Sequence, residues 1–298
     1  MTENRNKSPM KPIALLAVLV AAAALSVSAC GPNSPAAGTA NQDAPVYGKL
    51  PKNIQESGVL KVGASAVMPP YLYKDGSAVA GFEKELMDAL ADALGVRLEF
   101  QDNAFAALIP GLQSGKIDVA MGNLSDTKER QQVVDLVDYT ASYQALLVQK
   151  GNPKGLRSPE GLCGTVAAAV VGSLSERIAT AQHAECKQAS RAGVEVLTFE
   201  DATAAVLQVQ TKRADVLIMD VVLARYISST GQRTEVAGTP FYEQYHAAAV
   251  RKGNDQLRAA VEAAFTEIMR AGTYDKILAK WHLEELSLPA PKVNAATS

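Results

Sequence analysis

Leu112-Gln-Ser-Gly-Lys-Ile-Asp-Val119 returns downstream as Val209-Gln-Thr-Lys-Arg-Ala-Asp-Val216. Each copy follows an apolar helical stretch and runs into an apolar strand, Ala120-Met121 in the first and Leu217-Ile218 in the second. Aligned positions at one offset carry little weight alone. The shared helix-to-strand context makes two lobes of related construction the expectation, with chance similarity as the alternative. In that alignment Asn123 and Asp220 fall at equivalent places, just past the carboxyl ends of their strands. An α/β sheet presents groups to a ligand at such places, so each lobe is expected to supply one face of a cleft.

Working outward, Val59–Gly63 reads as a short apolar strand, and 82–94 as a helix with Phe82, Leu86, Leu90 and Leu94 along one stripe. Arg97–Phe100 is a strand again, Ala104–Gln113 a short helix and Ile117–Met121 a buried strand. Alternation of this kind predicts an α/β fold with parallel sheets. A body of about 240–250 residues is large for one compact core and comfortable for two. The boundaries expected are 1–29 a signal segment, 30–54 a tether, 55–149 the first lobe and 150–242 the second. Residues 243–288 would complete the first lobe and 289–298 form a tail, with crossings near Gln149–Pro153 and Pro240–Gln244.

At the N-terminus Arg5, Lys7 and Lys11 precede an apolar run, Ile13–Leu25, that is too short to span a bilayer comfortably. It ends in Leu25-Ser-Val-Ser-Ala-Cys30, the pattern of a lipoprotein signal in which Cys30 becomes the lipidated residue; ordinary secretory cleavage is the alternative. The Pro/Gly-rich stretch from Gly31 to Pro45 reads as a tether able to reach roughly 50 Å when stretched. The protein is therefore expected outside the cytoplasm, anchored to the outer face of the cell membrane. Setting Cys30 aside leaves Cys163 and Cys186, which an exported protein more often bridges than leaves free. The net charge is −2, and removing residues 1–29 takes away three basic groups and Glu3, leaving −4. No basic run outside the signal segment points to nucleic acid. His183, His246 and His282 make no metal-spaced pair, and no nucleophilic triad or phosphate loop is recognisable, so no metal, cofactor or catalytic residue is expected.

Two constellations suit an anion. Asp126 and Glu129 have capping-box spacing, which predicts a helix starting near Asp126 or Thr127 with Arg130 one turn in. Arg130 either forks onto a ligand carboxylate or is a solvated residue paired with Asp126, and spacing alone favours the latter. Ser173 and Glu176 form a second capping box, which is also common structural chemistry. Two such helix ends with a carboxylate at Asp220 match the needs of an α-amino acid.

Gly58-Val-Leu-Lys-Val-Gly-Ala-Ser65, Pro69-Pro-Tyr71, Gly81-Phe-Glu-Lys-Glu-Leu86, Leu108-Ile-Pro-Gly-Leu112, Ser125-Asp-Thr-Lys-Glu-Arg130, Gly272-Thr-Tyr274 and Lys280-Trp281 occur in this order. Together they resemble the extracellular solute-binding proteins, family 3, of polar amino-acid ABC importers, over roughly residues 57–287. Leu162-Cys-Gly164 with Cys186 is similar to the branch found in actinobacterial lipoproteins, which supports the disulfide. The resemblance implies a periplasmic-binding-protein-like fold of type II, with two α/β lobes and a two-segment hinge. It implies that Arg130 clamps the ligand carboxylate, helped by Ser125 and the amides near Ser173 and Leu174. Asp220 would bind the α-ammonium, with the Asn123 carbonyl and the Ser125 hydroxyl as partners, and Phe105 would wall the side-chain pocket.

Two positions depart from the family pattern. Ser65 stands where several relatives carry an acidic residue that reads a cationic side chain, and Met68 where they place an aromatic over the ligand; Met68 also reads as core packing. Asn123 stands where Gly is common. A neutral or acidic amino acid is thus expected over a cationic one, because a buried cation without a carboxylate is costly. The expected partner is an importer permease in the membrane, and the receptor is expected to be a monomer and not an enzyme. The alternatives are a sensing receptor for a signalling partner, or a dehydratase-like enzyme on the same fold with Glu83 or Glu200 as acid.

Overall fold

The computed structural model describes residues 40–66 and 68–296. Residues 1–29, Cys30 and the first part of the expected tether lie outside the described residues. The chain runs α1 (Lys52–Ser57), β1 (Val59–Ala64), β2 (Tyr73–Asp75), β3 (Ala78–Ala80), α2 (Phe82–Leu94), β4 (Arg97–Asp102), α3 (Leu108–Ser114) and β5 (Val119–Ala120). The long β6 (Val134–Gln149) leads to β7 (Val166–Val170), α4 (Leu174–Gln188), β8 (Glu195–Phe199), α5 (Ala202–Gln210), β9 (Val216–Asp220) and α6 (Val221–Thr230). A second long strand, β10 (Thr234–Arg251), returns to α7 (Asp255–Arg270), α8 (Thr273–Lys280) and β11 (Ser287–Val293). Among the described residues no helix is long and apolar enough to cross a membrane.

The main sheet has the order β4-β1-β5-β10-β6-β9-β7-β8, with β11 added alongside β6. Parallel pairing of β1 with β4 and β5 makes one half, and parallel pairing of β7 with β8 and β9 makes the other. The antiparallel strands β6 and β10 join the halves. Helix α2 forms where the apolar stripe predicts: Phe82, Leu86, Leu90 and Leu94 are fully buried, and Gly95 at φ 69° ends it in the left-handed conformation that glycine adopts without strain. Helices α7 and α8 pack on α2, and the Trp281 indole donates to Glu85 Oε1 at 3.1 Å.

The repeat that opens the sequence has a structural reason. In the first copy Asp118 Oδ2 accepts from Lys61 N–H at 2.9 Å, while Asp118 N–H donates to Lys61 O. In the second, Asp215 Oδ2 accepts from Val166 N–H at 3.0 Å and Asp215 N–H donates to Val166 O. Each aspartate ties the start of its strand to the neighbouring parallel strand, β1 in one half and β7 in the other. The preceding helices end at equivalent left-handed residues, Gly115 (φ 74°) and Lys212 (φ 65°).

Three boundaries differ from those the sequence suggests. Strand β6 pairs β10 through Thr140 and Ala141 but already pairs β9 from Gln144, so the first passage between halves lies at about Ala141–Tyr143, upstream of Gln149–Pro153. The return falls in β10, whose register shifts between Ala237 and Glu243 bracket Pro240. Gly238 there (φ 70°) leaves no room for a side chain, since a Cβ would meet Arg157 O at 1.9 Å. Residues 46–54, assigned to the tether from sequence, are folded onto the body, because Val46, Leu50 and Ile54 bury their side chains. At the other end β11 pairs β6 through Val137, Asp138 and Thr140, so the expected tail from 289 is strand as far as Val293.

Cys163 and Cys186 are bridged, with Cα atoms 5.6 Å apart. The bond ties the loop before β7 to the last turn of α4. On the chain-entropy model a loop of this size contributes roughly 3 kcal/mol.

Candidate ligand-binding cleft

The carboxyl ends of β1, β5, β7 and β9 converge on a cavity of about 110 Å³. An apolar cavity of ~150 Å³ accepts one benzene-sized molecule, so this one suits a compact solute. Ser65, Met68, Phe105, Asn123 and Ser125 line it from the first half; Ser173, Leu174 and Asp220 line it from the second. The residues nominated from sequence are thus brought together, with Arg130 at the margin.

Arg130 sits against the cavity wall, its guanidinium 5.4 Å over the Phe105 ring. Its Nη1 donates to Ser125 O at 2.6 Å and its Nη2 crosses to Gly172 O at 2.8 Å. It is buried, and among the described residues its guanidinium partners are carbonyls, with no carboxylate in ion-pair contact. Burial, and then the neighbouring Arg177, lower its pKa to about 10, so it stays cationic at neutral pH. A buried cation with neutral partners favours an anion.

The helix predicted at Asp126 is absent; the segment makes only a 3-10 turn at Arg130–Gln132. Asp126 is drawn into other bonds, accepting from Gln131 Nε2 at 2.9 Å and from Ala296 N–H at 2.9 Å. The expected Asp126–Arg130 pairing therefore does not form. Glu129 instead reaches Arg177 of the other half at 3.2 Å. The second capping box forms as read: Ser173 caps α4, its hydroxyl accepting from Glu176 N–H at 3.2 Å, while Glu176 accepts from Gly172 N–H at 2.6 Å. The start of α4, Ser173 to Ser175, thus lines the cavity.

Asp220 caps α6, accepting from Val222 N–H at 2.9 Å. It also accepts from Tyr71 Oη at 3.0 Å and Gln244 Nε2 at 3.0 Å. Burial pushes its carboxyl up, yet the donors around it, His246 first, hold it below the ordinary aspartate range. His246 Nε2 lies 3.4 Å from Asp220 Oδ2, near enough for charge to act though not aligned as a hydrogen bond. Ser125 donates to Gln244 Oε1 at 2.7 Å, so one chain of polar groups runs from the Arg130 loop to Asp220. Asn123 takes a left-handed conformation (φ 54°), and its N–H donates to both oxygens of the buried Glu83. Tyr139 donates to the same carboxylate. Burial raises the Glu83 pKa against these donors.

Sequence reasoning missed Tyr71, Gln144, Gln244 and the buried role of His246. One signal was present: Gln244 and His246 sit two apart just before the apolar run Ala247–Val250, on one face, opposite Ser142 and Thr140 of β6. Polar residues alternating on a buried face belong to a network.

Two α/β halves joined by two long strands, with a cavity between their strand ends, define a solute-binding receptor of the periplasmic-binding-protein-like type II fold. Residues 60–284 match the model of bacterial extracellular solute-binding proteins, family 3, and the chain belongs to that family. It is 27% identical to an arginine-binding protein of Corynebacterium glutamicum, over 84% of this chain and 82% of that one. Among solved structures, an ancestral arginine-binding protein bound to glutamine superposes with a TM-score of 0.69 at 35% identity, covering 76% of this chain and 99% of the other. An ancestral amino acid-binding protein described as a precursor of cyclohexadienyl dehydratase gives a TM-score of 0.69 at 31% identity, covering 77% and 98%.

Proposed function

We propose that this chain is the membrane-anchored extracellular receptor of an ABC importer, lipidated at Cys30, and that it binds a polar or small L-amino acid as a monomer. Closure of the two lobes would trap the ligand, with the pivots at the β6 and β10 passages. Arg130, Ser125 and the amides at Ser173 and Leu174 take the α-carboxylate. Asp220 takes the α-ammonium, and Phe105, Met68 and Ser65 bound the side chain. The observation that carries this reading is Arg130: a buried guanidinium, bonded among the described residues to carbonyls, beside a cavity that has Asp220 on its opposite wall. No cofactor or metal is called for. The closed receptor would dock on a permease in the membrane.

A neutral or acidic side chain fits better than a cationic one. Ser65 and Met68 bring no charge to the wall; of the other carboxylates that line it, Glu83 is engaged by Asn123 and Tyr139, Asp201 accepts from Ala204 N–H, and Glu200 is exposed to solvent. The test is a thermal-shift screen of the twenty amino acids. A ligand that binds only the folded chain raises its stability by RT ln(1 + [L]/Kd), about 2.7 kcal/mol at a hundredfold excess over Kd. Arg130→Ala should abolish the shift while leaving the ligand-free transition in place; a retained shift would refute the carboxylate assignment. A dehydratase reading draws on the ancestral relative and on Glu83, a buried acid lining the cavity with a raised pKa. Incubation with a cyclohexadienyl substrate decides it: product formation would establish the enzyme.

A further inference from the structure

The Asp220 carboxylate is already crowded with donors, most of all at Oδ1. Oδ1 accepts from Tyr71 Oη at 3.0 Å, Val222 N–H at 2.9 Å and Leu223 N–H at 3.4 Å. Oδ2 accepts from Gln244 Nε2 at 3.0 Å and faces His246 Nε2 at 3.4 Å. Each carboxylate oxygen offers about two lone-pair sites, so Oδ1, with three donors on it, takes another only where one leaves, and His246 stands over Oδ2. Val222 and Leu223 are the capping amides of α6, and freeing them would fray the helix. Gln244 and His246 belong to β10, where Gln244 also holds the Ser125 hydroxyl and His246 Nδ1 meets Thr140 Oγ1 at 3.1 Å. Tyr71 is different. It comes from the first half, on the loop after β1, and reaches across the cleft.

That loop is fixed from behind. Pro70 O and Tyr71 O accept from Phe82 and Glu83 N–H at the start of α2, and Gly81 (φ 125°) permits the approach, since a Cβ there would meet Tyr71 O at 2.1 Å. The Tyr71 ring packs on Phe82 at 4.8 Å and meets the His246 ring edge-on at 5.3 Å. The hydroxyl is therefore aimed at Asp220 by a rigid support, and it moves away only when the halves part or when its hydrogen bond is replaced.

We propose that Tyr71 is a specificity-determining residue that occupies the α-ammonium position on Asp220, so that a ligand binds by displacing its hydroxyl. The proposal rests on the amino-acid reading above. A neutral hydroxyl fills the lone pair but brings no charge to Asp220. An ammonium brings both: both donors make a charge-assisted bond to the carboxylate, but only the ammonium adds the attraction of an opposite charge in a buried site. Tyr71 thus sets a threshold that solutes with an α-ammonium cross and their des-amino counterparts do not. It also latches the free receptor through one bond between its halves.

The test compares the full chain with Tyr71→Phe, which keeps the ring packing and removes the hydroxyl. All twenty L-amino acids are screened by thermal shift, followed by calorimetry on those that respond and on the des-amino acid of each. The variant should bind the responding amino acids roughly three- to tenfold more tightly, as expected for losing one competing hydrogen bond, with des-amino binding at most as strong as to the wild type. Equal or weaker amino-acid binding by the variant overturns the proposal. A wild-type chain that responds to none of the twenty would instead sink the amino-acid reading. In the wild-type chain the Tyr71 ζ-carbon resonance provides a second readout that needs no variant. It should move on saturation with ligand as the hydroxyl is released, and an unmoved resonance also overturns the proposal.

Discussion

At the scale of single residues, Asp138 couples stability to pH. It is fully buried on β6; one carboxylate oxygen accepts from Ala295 N–H at 3.2 Å and the other has no hydrogen-bond partner. Burial, and then the charge of Asp126, push its pKa up to about 8. In the unfolded chain it would titrate near ~3.9. Between those values the folded chain holds a proton that the unfolded chain has released. Stability therefore falls as pH rises from ~4 to ~8 and levels off above that. Asp138→Asn keeps an oxygen for Ala295 and has no proton to lose, so the variant should gain at least about 1 kcal/mol over wild type at pH 8.5 relative to pH 5. Urea denaturation of both chains at the two pH values measures this, and an identical difference at both would refute it. A buried residue on β6, beside β11 and outside the cavity lining, thus tunes the fold.

At the scale of elements, the turn that ends α3 and its counterpart after α5 make a paired test. Gly115 and Lys212 hold the same left-handed position, but a residue with a Cβ pays about 1 kcal/mol or more there. Nothing approaches a Cβ built at Gly115, so Gly115→Ala should cost about 1 kcal/mol through the backbone alone. Lys212→Gly should stabilise, by somewhat less, because glycine also loosens the unfolded chain. Effects of the same sign would show that the two turns are not equivalent. The repeat made this symmetry legible in the sequence, as did the stripe of α2 and the cap at Ser173, because all three depend on neighbours a few residues apart. The failed reading at Asp126 shows where such reasoning stops. Its local cap lost to Ala296 and Tyr245, contacts made by distant segments that only the folded chain brings near. For the same reason Arg130 and Asp220 could be nominated, while Tyr71 and Gln244, their partners from other strands and loops, could not.

At the scale of the whole molecule, two strands carry the connection between halves, and the polar contacts across the cleft are few. Arg130 reaches Gly172, Tyr71 reaches Asp220, and Glu129 pairs with Arg177 at 3.2 Å. A ligand shifts an open–closed equilibrium only by its differential affinity for the two forms, so any bond made solely in the closed form adds to apparent affinity. Glu129–Arg177 tests this effect because both side chains are substantially exposed and neither lines the cavity; their opposite charges act on Arg130 in opposite senses, so the double variant removes both influences together. An exposed pair contributes about 0.2–1 kcal/mol, which corresponds to ligand binding weakened by up to about fivefold when it is lost. Glu129→Gln and Arg177→Gln should each weaken binding to that extent. The double variant should be no weaker than the poorer single one, since the same bond is removed only once. Raising the salt concentration should weaken wild-type binding and leave the double variant largely unaffected, because exposed charges are screened within about 8–10 Å. Fully additive losses, or no loss in any of the three, would mean that the pair does not act through closure.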